Sequence, residues 1–185
     1  MNTFLWGRRI HLSPAARKIL NGAVTVASVL LCLLILPVRL PGMELLGVSP
    51  NWLLIWVVAW SIKRSPWEGC SAGVVLGLLQ DGMTSPNPSH VLGLAAVGFL
   101  TGRIQKQKYL QEDFISVALI VFGMVVVSDT FMALQLALMG DSSLEEIWLQ
   151  YQRIALVSAI ISSLWAPVLY FPLNQWWQKM QILHK

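Results

Sequence analysis

The side chains of this sequence that are able to do acid–base or metal chemistry are few and far apart. His11, His90 and His184 lie without ligand spacing, and Cys32 and Cys70 each sit inside an apolar stretch. That pattern indicates neither a metal site nor a disulfide framework. It also lacks the Ser, His and Asp order of an activated nucleophile, the HExxH pair and the glycine-rich phosphate loop. The sequence therefore reads as non-enzymatic, with no cofactor.

The chemistry that remains is polarity in apolar surroundings. Gln80-Asp81 closes a glycine-rich apolar run, Asp129 lies inside the run Phe114 to Met139, and Arg153 lies in the next. A charge within a membrane span is costly and marks a functional candidate. For Asp81 a solvated helix end is an equal reading; for Asp129 a buried pair is favoured. Ser142 or Ser143 with Glu145 or Glu146 starts the final helix, so Met139 and Leu144 flank a tight turn. In that antiparallel hairpin Asp129 and Arg153 fall at one depth, about 15 Å from the turn at about 1.5 Å per residue. A later start, near Trp148, would instead let Arg153 snorkel outward.

Composition decides what carries these residues. Hydrophobic residues make up 56% of the chain and charged residues 12%, with a mean hydropathy of +0.63, which is more apolar than a soluble domain can hide in one core. The positives fall in small clusters between apolar runs, which suits bilayer orientation rather than nucleic acid. Arg8, Arg9, Arg17 and Lys18 precede the run Ile19 to Val38. That run is too long for a signal peptide and lacks a cleavage pattern, so it reads as a retained first span.

Ser13-Pro14, Ser49-Pro50, Ser65-Pro66 and Asn87-Pro88 each put a capping side chain before a proline suited to the first helical position. Helices are expected over 14–36, 50–64, 66–82, 88–105, 114–139 and 144–172. The second to fourth are short against the roughly 20 residues of a full span, so they cross a thinned bilayer or stop part way, buried in protein. Arg8 to Lys18, Lys63-Arg64, Arg103 with Lys106 and Lys108, and Lys179 with Lys185 share one side of a six-helix weave; Arg39 and Arg153 fall on the other. The positive-inside rule then makes 1–13 a cytoplasmic basic arm, 14–178 a six-helix membrane domain and 179–185 a cytoplasmic tail. Trp148 and Trp176-Trp177 suit interfacial anchors.

Gly69, Gly73 and Gly77 recur every four residues, and Gly98 and Gly102 repeat the step. Such spacing clears a face for close backbone approach and predicts that the third helix is the packed centre. Trp52, Trp56 and Trp60 form a second stripe, readable as a partner surface or as core or lipid-facing filler; filler is favoured.

Pro50-Asn51-Trp52-Leu53-Leu54, Gly73 to Asp81 with its Gly-Leu-x-x-Asp ending, and Leu92-Gly93-Leu94 leading to Gly98-Phe99-Leu100 resemble the rod shape-determining protein MreD family. The resemblance is good over about 45–105 and is one of hydropathy elsewhere. It implies an all-α, six-helix protein of the bacterial plasma membrane, similar in fold to the substrate-binding subunits of energy-coupling vitamin transporters. It further implies a non-catalytic part in the cell-elongation machinery, with the bitopic protein MreC as partner and, through it, the MreB filament and the peptidoglycan polymerase and transpeptidase. The basic arm and the loop Ser85-Pro86-Asn87-Pro88 depart from many relatives. The rival reading is a small-molecule binding subunit of a transporter, with Gln80, Asp81, His90 and Asp129 lining its pocket.

Overall fold

The computed structural model describes residues 14–38, 42–84, 87–104, 114–139 and 144–182. The arm 1–13, Arg39, Ser85-Pro86, Lys106, Lys108, Ser142, Ser143 and Lys185 lie outside these residues, as do the side chains of Glu145, Glu146 and Trp148. Six helices follow one another: α1 (Pro14–Ile35), α2 (Trp52–Ser61), α3 (Pro66–Met83), α4 (His90–Ile104), α5 (Phe114–Met139) and α6 (Leu144–Ile182).

The centre of the bundle is α2, not the expected third helix. Trp52 to Trp60, nine of its ten residues, are apolar on every side, and Trp52 to Ala59 are all buried. It packs against each of the other five helices. At about 1.5 Å per residue it is about 15 Å long, half the hydrocarbon thickness. A helix that short is viable at membrane depth because protein, not lipid, surrounds its ends. Asn51 is its cap: the side chain accepts the Leu54 N–H at 3.1 Å, and the Asn51 N–H donates to Ser162 Oγ on α6 at 2.9 Å. The start expected at Pro50 is thus displaced to Trp52.

A similar displacement occurs at α4, where Ser89 rather than Asn87 precedes the helix and its hydroxyl accepts the Val91 N–H at 3.2 Å. At α3 the capping box forms as read, with Ser65 Oγ accepting from Glu68 N–H and Glu68 Oε2 accepting from Ser65 N–H. The last helix runs ten residues beyond the expected 172, past Pro167 and Pro172. Packing holds this extension, since the Trp177 ring sits edge-on to Trp60 at 5.3 Å.

Unlike a soluble protein, the fold is apolar outside as well as in its core. Ser162, Thr101, Ser158 and Asn174 are buried, whereas Ile19, Leu34, Leu78, Ile115, Leu138 and Leu164 are turned outward. An apolar exterior of this kind suits lipid. Among the described residues, three helices are long and apolar enough to cross a bilayer: Ala15–Ile35, Phe114–Met139 and Gln152–Met180. Of the six spans expected, these three have the length; α2 does not.

Candidate functional site

The helix pair α3 and α4 is sealed by glycine. A methyl on Gly69 would fall on the Gly98 carbonyl, one on Gly98 on the Gly69 carbonyl, and one on Gly73 on the Leu94 carbonyl. One on Gly77 would come within 2.5 Å of Val91 Cα, and one on Gly102 within 2.8 Å of Pro66 Cα. The five glycines singled out by spacing therefore lie in one seam, where two backbones touch. Gly93, which spacing did not single out, faces the other way: its missing Cβ lies 2.7 Å from Ser128 Oγ and lets α5 approach.

At one end of that seam Asp81 closes α3 and opens α4. Its Oδ1 accepts the His90 N–H at 2.9 Å and lies 2.7 Å from His90 Nδ1, while Oδ2 accepts the Ser89 hydroxyl at 2.6 Å. Gln135 of α5 holds the same residue from the far side, Oε1 accepting the Ser89 N–H at 3.1 Å and Nε2 donating to the Ser89 carbonyl at 2.9 Å. The first N–H groups of a helix have no partner within it; here side chains of two neighbouring helices supply them. Asp81 is thus neither a plain solvated helix end nor free for a ligand. Ser89 and Gln135 were missed in the sequence because their roles depend on residues 8 and 46 positions away.

The pocket reading required Gln80, Asp81, His90 and Asp129 to offer polar atoms to a small molecule. Asp81 and His90 instead satisfy one another. Gln80 Oε1 and Asp129 Oδ2 are enclosed without a hydrogen-bond partner. Among the described residues, no group of three or more His, Cys, Asp or Glu could hold a metal ion.

Asp129 and Arg153 do not meet. The hairpin register is close to that expected, since Phe114 stacks on Phe171 with centroids 6.2 Å apart, two residues from its projected partner Leu169. The facing differs, however. The buried stripe of α6 runs through Ser158, Ser162, Ala166 and Tyr170, and Arg153 lies off it, exposed. Because no pair is broken, Arg153→Gln should leave the unfolding midpoint unchanged, and exchanging the two charges should give no rescue of Asp129→Arg. Asp129→Leu should be neutral or stabilising, since removing an enclosed unpartnered group costs little. Recovery of folded protein by the charge exchange would overturn this reading.

The tryptophan stripe packs largely into the core, with Trp60 only partly buried. Trp52 and Trp56 are buried. Trp52 packs on Trp165 at 5.7 Å, Trp56 stacks on Trp60 at 5.2 Å, and Trp56 Nε1 donates to Ser28 Oγ on α1 at 2.9 Å.

The apolar exterior, the enclosed polar groups and the glycine-sealed helices define a membrane-embedded helical bundle. The family model for the rod shape-determining protein MreD matches residues 16–180, nearly the whole chain. This chain belongs to the MreD family. No individually curated protein matches it.

Proposed function

We propose that this protein is a non-catalytic membrane component of the bacterial cell-elongation complex, needed for rod shape and lateral peptidoglycan synthesis. The family match over residues 16–180 carries the reading. Its family is one of shape determinants rather than of enzymes, and it acts with MreC and MreB. Helix packing is the mechanism we favour: the glycine seam joins α3 to α4 so closely that the pair offers partners one continuous face. The weave is taken to cross the plasma membrane with both termini in the cytoplasm.

Two measurements test this proposal. In a rod-shaped bacterium depleted of its own MreD, the chain should restore rods and recover an MreC-type partner from detergent; spherical cells despite normal membrane levels would refute it. Cysteines placed at Arg64 and Gln107 should label from the cytoplasm and those at Asn87 and Ser142 from outside. Labelling of Asn87 from the cytoplasm would overturn the weave.

A further inference from the structure

At the end of the seam opposite Asp81, the close approach of Gly102 to Pro66 presses the last turn of α4 against the α2–α3 turn. This contact gathers cations from two elements. Arg64, in the turn, lays its guanidinium over the Trp60 ring at 3.5 Å, and Arg103, in the last turn of α4, is exposed. Lys63 adds a third positive group beside Arg64. Glu68, in the same turn, accepts the Ser65 N–H at 2.9 Å in the capping box and keeps its negative charge close to Arg64, but Arg64, Arg103 and Lys63 outnumber it, so the charged side chains described at this corner sum to a positive charge.

Aromatic surface lies beside the cations. Trp67 is 76% exposed, although it opens a helix of an apolar bundle. Its ring meets Phe99, one turn from Arg103, edge-on with centroids 5.5 Å apart. Further along α3, Val75 and Leu78 are turned outward as well. The sequence along this face is thus cation, amphipathic ring, aliphatic chain. A lipid has the same sequence: anionic headgroup, glycerol level, acyl tail.

We propose that the corner where the α2–α3 turn meets the end of α4 binds the headgroup of an anionic phospholipid. Arg64 from the turn and Arg103 from the end of α4 hold the phosphate, Trp67 and Phe99 lie at the glycerol level, and the tails run along the outward faces of α3 and α4. Arginine suits this role because its planar fork can give two hydrogen bonds to one phosphate. Stacking on Trp60 fixes the plane of one fork in advance.

To test this, the full chain in neutral detergent is titrated with phosphatidylglycerol, phosphatidylcholine or inorganic phosphate, and bound lipid is counted by native mass spectrometry alongside the unfolding temperature. Phosphatidylglycerol should bind and stabilise; phosphatidylcholine and inorganic phosphate should not. Arg64→Gln and Arg103→Gln should each weaken phosphatidylglycerol binding roughly fivefold, and together about thirtyfold. Lys18→Gln, exposed on α1, should leave it unchanged. If Arg64→Gln fails to fold, Arg103→Gln and Trp67→Ala carry the test, because both side chains are exposed. Equal binding of the two lipids, an equal response to inorganic phosphate, or wild-type affinity in the arginine variants would overturn the proposal.

Discussion

Gly98→Ala is expected to abolish accumulation of folded protein, although it adds a single methyl. That methyl falls on the Gly69 carbonyl, with the Gly69 carbonyl carbon at 2.5 Å and Cys70 N at 3.1 Å. These atoms belong to a helix backbone, so no rotamer change makes room. α3 must move off α4 along the seam, losing the contacts of Gly73 and Gly77 as well. Overpacking costs about 1 to 3 kcal/mol where side chains can yield, and here the loss should reach at least about 3 kcal/mol, more than a hundredfold in the folded ratio. Gly123→Ala and Gly22→Ala are the controls. A methyl there meets nothing within 4 Å, and alanine in a helix should be neutral or stabilise by up to about 1 kcal/mol. Size-exclusion profiles of a fluorescent fusion, with unfolding midpoints, separate the two outcomes. A wild-type midpoint for Gly98→Ala would mean that α3 and α4 do not touch through these glycines.

Asp81→Ala should be the second most damaging change. It removes at once the acceptor for the Ser89 hydroxyl, the His90 N–H and the His90 ring. The unpaired groups lie at a helix start among packed side chains, so a loss of about 2 to 3 kcal/mol is expected. Asp81→Asn keeps one acceptor oxygen and should lose about half as much. Gln135→Ala acts on the same Ser89, so the double variant should lose less than the sum of the singles. Unfolding midpoints measure all four proteins, and faster amide exchange in the first turn of α4 should accompany Asp81→Ala. Equal stability of the Ala and Asn variants would show that the carboxylate does not cap α4.

The sequence and the structure agree where the determining signal is local. The capping box at Ser65 and Glu68 lies within four residues, and glycines at four-residue spacing share a helix face whatever surrounds them, so both could be read directly. Local signals mislead where a distant partner decides. Asn51 caps α2 in place of Ser49 because Ser162, 111 residues away, receives its N–H. α6 continues past Pro172 because Trp177 finds Trp60. The Asp129 and Arg153 depths followed from helical rise, but their facing did not, since rotation about α6 is set by what packs on Ser158 and Ser162.

By itself, then, the sequence determined that the chain is helical and membrane-embedded, where α3 and α5 begin, and which face of α3 is bare. Each of these follows from composition, capping chemistry or periodicity within one element. Only the tertiary structure decided that α2 is the centre, that Asp81 caps α4, and that Trp52 and Trp56 point inward. A helix apolar on every side has no periodicity to show which way it faces, so its neighbours settle its place.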